Sequence, residues 1–315
     1  MKNVLIHIGY HKTGTTWLQK NTFSKNSTIF QSISPMEGDR SFAKDFIWDE
    51  NGYLLNPFDL NEEDIRRHLK KLVDQRNDSN KIYVVSDERL SGSPHSSGFN
   101  SSVILKRIKK IFPNGKILIV IREQNSWLLS NYYQYLTAGG THSLKKYLNI
   151  NYDGKRPGFS PNHVLYHHLI RGYQDEFGKE NVLVLPYELF RSDKIDFFKK
   201  FSDFLNIEIP IEQEGFENYS NKHSNYYLNY NLRFLNPFLK SSSVNDYSSH
   251  SNKVSRTIAK SIKRGMELIF HRKWDRIYQD KLKKEVQEWS ANRFVESNKE
   301  SARLINVDLE KYNYW

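Results

Sequence analysis

Along the chain, short continuous apolar runs alternate with stretches in which apolar residues recur every three or four positions. Runs of the first kind suit strands buried on both faces of a parallel sheet, and stretches of the second kind suit amphipathic helices. Four strands are predicted: Val4 to Ile8, interrupted only by His7, then Lys81 to Ser86, Lys116 to Ile121 and Asn181 to Glu188. Helices are predicted between them. Asn61-Glu-Glu-Asp opens one carrying Ile65, Leu69, Leu72 and Val73, Val103 to Phe112 is stopped by Pro113-Asn-Gly115, and another runs from about Ser126 to Gly139-Gly140. From Pro161 a further helix passes through Leu165, Leu169, Tyr173 and Phe177 to a stop at Gly178, and Ile195 to Leu205 forms the next.

Strands separated by helices make a doubly wound parallel sheet. The expected fold is therefore an α/β three-layer domain, a central parallel sheet flanked by helices, over residues 1–210. Beyond Pro210 the strands stop. Residues 211–252 are rich in Asn, Ser and Tyr and predict a surface loop; two helices follow, about Lys253 to Phe270 and Asp280 to Leu304, and Tyr312-Asn-Tyr-Trp315 packs back onto the body. This makes 211–315 a helical extension of the same single domain. Residues 21–60 show no clean period and predict loop-rich structure that contacts substrate, with Trp48, Tyr53, Phe58 and the Tyr132 to Tyr135 cluster as aromatics that either stack on a ligand or, as aromatics more often do, pack in the core. Residues 139–160 predict a loop or lid.

Composition narrows the function classes. At 315 residues the chain is long enough for a substantial core, and with 38% hydrophobic residues it reads as soluble and globular. No apolar run approaches the ~20 residues that span a bilayer, and the N-terminal run falls short of the ~7–15 residues of a signal-peptide core, so a cytoplasmic protein is expected. With no cysteine, disulfides and thiolate metal sites are excluded. The formal charge of +11 favours an anionic partner. Between Lys253 and Lys284 stand eleven Lys or Arg against three acids, so the basic C-terminal helices offer a face for peripheral membrane contact, or simply a solvated helical surface.

The candidate chemistry sits at strand ends. After the first strand comes Gly9-Tyr10-His11-Lys12-Thr13-Gly14-Thr15-Thr16-Trp17. Gly9 and Gly14 bracket a tight turn in which the backbone can approach an anion, and Thr15 and Thr16 open a helix whose N–H groups point at the same place as the Lys12 ammonium. The two glycines have the spacing of a nucleoside-triphosphate loop, G-x-x-x-x-G-K-[ST], but Thr15 occupies the lysine position and Lys12 lies inside the loop. After the third predicted strand, Arg122 is followed by Ser130 with seven residues between them. A guanidinium there can engage two phosphate oxygens together.

Gly-x-x-Lys-Thr-Gly-Thr-Thr-Trp resembles the 5′-phosphosulfate loop of the sulfotransferases, which use 3′-phosphoadenosine 5′-phosphosulfate (PAPS) as donor. Arg122 and Ser130 match that family's 3′-phosphate pattern, in the expected order along the chain. The resemblance covers roughly residues 1–205. It is extended with low specificity by the segment from Asn292, which is similar to the C-terminal helix of bacterial carbohydrate-type sulfotransferases. It implies a P-loop-like fold and transfer of a sulfuryl group to a hydroxyl or amine, a glycan or glycolipid being the expected acceptor class, with PAPS and its product 3′,5′-adenosine bisphosphate (PAP) as ligands and neither nucleic acid nor metal involved.

The same resemblance implies residue roles. Lys12 stabilises the leaving oxygen, and Thr13, Gly14, Thr15 and Thr16 hold the 5′ end. Trp17 contacts the base or simply packs its helix, and Tyr187 in Leu185-Pro-Tyr-Glu188 lies near the adenine or is structural. For the general base Glu88 is preferred, because it follows the second predicted strand where the ligand crevice of an open α/β sheet lies; Asp87 and His95 are the alternatives. The family's Arg-Lys-Gly element over the 3′-phosphate has no convincing counterpart. Lys263-Arg-Gly265 is similar in letters but sits in a predicted helix, and Lys222 is the other candidate. Two readings stand beside this one, a P-loop nucleotide kinase and a non-catalytic binder of acidic polymers.

Overall fold

The computed structural model describes residues 3–33, 42–49, 51, 53–58, 62–74, 80–149, 158–210, 226–239, 253–269 and 272–314. Five strands, β1 (Val4–Gly9), β2 (Phe30–Ser32), β3 (Ile82–Ser86), β4 (Lys116–Ile121) and β5 (Val182–Pro186), form one sheet in the order β2-β3-β1-β4-β5, every pair parallel. The helices are α1 (Thr15–Leu18), α2 (Glu62–Asp74), α3 (Ser101–Ile111), α4 (Gln124–Thr137), α5 (Leu144–Leu148), α6 (Tyr166–Phe177), α7 (Tyr187–Ser192) and α8 (Lys194–Leu205). The extension adds α9 (Tyr226–Asn231), α10 (Asn236–Leu239), α11 (Lys253–Ile269), α12 (Arg272–Ser290) and α13 (Val295–Ile305).

Because successive side chains of a strand point to opposite faces, the four longer strands each feed two cores. Ile6, Ile8, Val85, Ile117, Ile119, Ile121 and Val184 enter the larger one, with residues of α2–α6, and Leu282, Val286 and Phe294 of the extension join them. Leu5, Val84, Leu118, Val120 and Leu185 enter the smaller one, against Leu18, Phe197 and Phe201. The sheet is thus covered on both faces, which is why its four longer strands read as near-continuous apolar runs. Each strand side chain closed off from water contributes roughly 1.5–3 kcal/mol. His7 is fully buried in β1, where its Nδ1 lies 2.8 Å from Ser86 Oγ on β3, and burial holds the imidazole neutral, with its pKa pushed down to about 3. Gln19 Nε2 donates to Ser86 O at 2.9 Å, so the segment following α1 is tied to the carboxyl end of β3.

Four expectations are corrected. The sheet has a fifth strand, β2, which spans only three residues at an edge, too few to show a period in the sequence. Among the described residues of 21–60, Phe42, Ala43, Phe46 and Ile47 are buried and Trp48 packs against the larger core beneath Arg89, so these belong to the core rather than to a substrate-contacting loop. Tyr132 and Tyr135 are likewise core residues, packed on each other and on Tyr147, whereas Tyr133, also buried and edge-on to Tyr226, lines the cleft described below. The last predicted helix is two: α12 begins at Arg272, and a turn at Ala291–Phe294, with Asn292 in the left-handed region (φ 60°), separates it from α13. Within 139–160, α5 is a short helix with Leu144, Tyr147 and Leu148 buried, and residues 150–157 lie outside the described set. Pro161 opens a 3-10 turn before α6. Lys222, the serine-rich 241–249 stretch and Trp315 also lie outside the described residues.

Candidate active site

β1 connects towards one edge of the sheet and β4 towards the other, so a crevice opens between their carboxyl ends, where ligands of open α/β sheets bind. A cleft of about 1110 Å³ lies there, lined from the strand-end side by Lys12, Gly14, Thr15, Thr16, Trp17, Glu88, Arg122, Ser126, Ser130 and Tyr187.

The loop after β1 is built to leave donors facing this cleft. Gly9 has no room for a side chain, since a Cβ there would stand 2.3 Å from Thr15 Oγ1. Gly14 has φ 85°, and its open side is covered by the Tyr187 ring. Lys12 also takes a left-handed conformation, with φ 66°. For a residue with a Cβ that conformation costs about 1–2 kcal/mol. Arg122 offsets part of the cost, for its Nη1 donates to the Lys12 carbonyl at 2.9 Å. The Thr13 hydroxyl is turned inward, donating to the Tyr10 carbonyl at 2.5 Å, so its side chain does not line the cleft. Trp17 N–H and Leu18 N–H bond back to Gly14, which leaves the Gly14, Thr15 and Thr16 N–H groups at the open end of the turn. Thr15 Oγ1 is buried with no partner. A buried hydroxyl beside an open helix start and a lysine is suited to an oxyanion, so these residues fit a phosphate-like group.

The second cationic position follows β4. Arg122 is held in three ways: Nη1 on the Lys12 carbonyl, Nε donating to Ser126 Oγ at 3.0 Å, and the guanidinium 5.1 Å from the centre of the Tyr187 ring. Its remaining donors are free of these ties and share the cleft wall with Ser126, Ser130 and Gln134, spaced four residues apart along one face of α4. Glu123 caps α4, accepting from the Asn125 N–H at 2.7 Å and from the Ser126 N–H at 2.7 Å. Glu188 Oε1 accepts the Glu123 N–H at 3.1 Å, and Glu188 Oε2 accepts the Tyr314 hydroxyl at 2.9 Å. The buried C-terminal Tyr314 thereby braces the ends of β4 and β5 from the far end of the chain.

Of the three candidate bases, Glu88 alone lines the cleft. Burial pushes its carboxyl pKa up, opposed by Arg89 and Lys12, and burial pushes the Lys12 ammonium pKa down, with Glu88 opposing and Arg122 assisting. The two groups are thus neighbours that favour each other's charge. Asp87 is occupied as a cap, accepting the Arg89 N–H at 2.8 Å. His95 lies behind the wall beside Tyr135 and Tyr147, and burial, with His11 adding, lowers its pKa to about 4. His11 Nε2 stands 3.6 Å from Glu88 Oε1. Burial, with Arg89 and Lys12 adding, pushes His11 down to about 3, so the contact is a neutral imidazole beside a carboxylate rather than an ion pair.

Sequence reasoning missed the opposite wall. Arg191 of α7 and Lys194 of α8 line the cleft near Trp17, and Tyr226 of α9, Lys283 and Gln287 of α12 and Asn313 line it from the extension. Lys283 and Gln287, four residues apart, share one face of α12, and α12 is anchored to α4, where Ser290 Oγ donates to Asn125 Oδ1 at 2.5 Å. A basic residue in a basic helix gave no signal of this role. Lys263-Arg-Gly265 lies within α11, and Arg264 does not line the cleft. Tyr53 and Phe58 are exposed and do not line it either. Among the described residues no group of three or more His, Asp or Glu side chains converges to hold a metal ion.

Comparison with known proteins agrees with this architecture. The chain is similar over 99% of its length, and 99% of the other's, to a crystal structure of a sulfotransferase from Alicyclobacillus acidocaldarius, with a TM-score of 0.57 and 16% identity, a likeness of fold. Weaker similarities are to a mouse sulfotransferase, SULT7A1, complexed with PAP (TM-score 0.38, 17% identity, 67% of this chain and 61% of that one) and to the sulfotransferase domain from the curacin biosynthetic pathway (0.36, 14%, 68% and 76%). No curated protein sequence matches the chain. The sulfotransferase domain family model matches residues 2–286, across the cradle, both strand-end motifs and most of the extension, and the chain belongs to that family.

Proposed function

We propose that this protein transfers a sulfuryl group from PAPS to a hydroxyl or amine of an acceptor, with a carbohydrate or glycolipid the acceptor class. The observation that carries the reading is two sets of cationic and hydrogen-bonding groups lining one cleft, each suited to an anion. Lys12, the loop N–H groups and the buried Thr15 hydroxyl form one, and Arg122 with Ser126 and Ser130 forms the other. A 3′,5′-bisphosphorylated nucleotide has anions at two such points, whereas an ordinary nucleotide has them at one. PAPS supplies an activated sulfur–oxygen bond; the chain supplies position and charge.

In this reading Arg122, Ser130 and, from the extension, Lys283 hold the 3′-phosphate, and Tyr187 and Trp17 flank the nucleotide's base. Glu88 accepts the acceptor's hydroxyl proton as that oxygen bonds to sulfur. Lys12 Nζ neutralises the charge left on the bridging oxygen as its bond to sulfur breaks, so PAP leaves as the second product. Glu88 suits the task because burial raises its pKa, which makes it a better base, while Arg89 and Lys12 oppose the rise by favouring the carboxylate.

The test is an acceptor screen with labelled PAPS over glycan and glycolipid pools, alongside thermal shifts with PAP and with ATP. Stabilisation by PAP together with labelled product supports the proposal. Stabilisation by ATP exceeding that by PAP, with no labelled product, overturns it in favour of a nucleotide kinase.

A further inference from the structure

Among the described residues, six of the eleven exposed large hydrophobic side chains, Phe234, Phe238, Ile258, Ile262, Trp274 and Ile277, fall on one stretch of the extension. The helices that carry them already have an inward face. Leu228, Leu232, Leu235 and Ala259 form a small buried cluster against which Met266 packs, α10 lies against α11, and α9 lies against both α11 and α12. Ile258 and Ile262, one turn apart on the flank of α11, are 56% and 43% exposed, and Trp274 at the start of α12 is 56% exposed. Solvent-exposed Lys260 and Arg264 stand on the same helix as the two isoleucines, and exposed Arg276 and Lys281 on the same helix as Trp274 and Ile277. Of the three acids among the eleven basic residues of 253–284, Asp275 is engaged, accepting the Tyr227 N–H at 2.9 Å.

On α11 Lys260 and Arg264 each lie about half a turn round the helix from Ile258 and Ile262, so apolar and cationic side chains occupy opposite faces, and with the exposed indole of Trp274 this matches a helix lying in the boundary of an anionic bilayer. Apolar side chains enter at the acyl edge, the indole sits at headgroup level, and the cations meet lipid phosphates. The alternatives fit less well. A second copy of this chain would set like charges against each other, exposed Lys260, Arg264, Arg276 and Lys281 among them, and an anionic polymer would pair with the cations while leaving the isoleucines and phenylalanines in water. The location also matters. Lys283 and Gln287, which line the cleft, follow Ile277 on the same helix, the first within two turns and the second within three.

We propose that the exposed face of α10, α11 and the first turns of α12 docks on an anionic membrane surface and sets the cleft beside acceptors carried in that surface. The docking is independent of the donor assignment; only the identity of the acceptor as a membrane-borne glycolipid rests on the sulfuryl-transfer reading. The experiment is co-sedimentation of the full chain with phosphatidylcholine vesicles with and without phosphatidylglycerol, for wild type, Ile258→Glu/Ile262→Glu and Lys12→Ala. The expected result is binding to the anionic vesicles only, a blue shift of tryptophan emission that Trp274→Phe diminishes, and at least about a tenfold loss of partitioning in the double glutamate variant. Cooperative thermal unfolding of that variant at the wild-type midpoint shows it folded, and Lys12→Ala binds vesicles as wild type does. Equal partitioning of wild type and the double variant overturns the proposal. So does a concentration-dependent dimer that the double variant abolishes, or binding to heparin without binding to vesicles.

Discussion

Lys12 and Arg122, on the strand-end side of the cleft, are held by the fold, whereas Lys283 faces them from an exposed helix surface. Arg122 has a hydrogen bond to the Lys12 carbonyl, another to Ser126 and a ring beneath it, and Lys12 is desolvated enough for its pKa to fall. Lys283 is solvent-exposed on α12. A charge in low dielectric with fixed geometry acts on its ligand several times more strongly than one in water, which is screened and must be immobilised first. The core side of the site is therefore suited to chemistry and the extension side to retention and access.

That contrast can be broken at single residues. Glu88→Gln should have the largest effect, lowering kcat by about 10²–10⁴-fold in a labelled-sulfate assay while PAP affinity holds. Retained turnover there, with loss in His95→Ala, would move the base to the histidine. The pH dependence follows from the same group. Glu88 must be unprotonated to accept a proton, and burial raises its pKa, so kcat should fall as pH drops through a value above the ordinary carboxylate range. His11 and His95, held neutral down to about 3 and 4, should contribute no limb near the usual imidazole value.

Lys12→Ala should lower kcat by about 10²–10³-fold, the size expected for losing one preorganised stabiliser of a developing charge. Arg122→Lys keeps the charge but loses the fork, so one of its two tethers to Lys12 and Ser126 must go. KM for the donor should rise about tenfold and stability fall by roughly 1 kcal/mol, read by initial rates and urea unfolding. Lys283→Ala should raise donor KM only about two- to fivefold with kcat unchanged, as for a solvent-screened charge. A loss in Lys283→Ala as large as in Arg122→Lys would erase the distinction between the two walls.

The strand-end motifs were legible because they obey local rules. Gly9 and Gly14 are where only glycine fits, Val4 to Ile8 and Lys116 to Ile121 are runs that both faces of a sheet must cover, and Lys12, Glu88 and Arg122 follow strands directly. What escaped was whatever depended on distant partners. β2 is three residues long and stands only because it pairs with β3, and Phe42, Ala43, Phe46 and Ile47 are core because of what α2 and α3 bring against them. Glu188 appeared as part of a motif and acts as a brace between the Glu123 N–H and Tyr314. His95 looked available in a polar loop, yet it is packed behind Tyr135 and Tyr147.

The parallel α/β core, the anion-binding turn after β1 and the family to which such a turn and an Arg–Ser pair point could all be read from the order of residues, since backbone geometry and apolar periodicity are properties of chain neighbours. Three matters had to wait for the folded chain: which carboxylate faces Lys12, which wall Lys283 and Gln287 occupy, and which aromatics are core rather than contact surface. Those outcomes depend on how elements far apart in the chain pack, and a residue's exposure, partners and pKa are set by that packing rather than by its own neighbours in sequence.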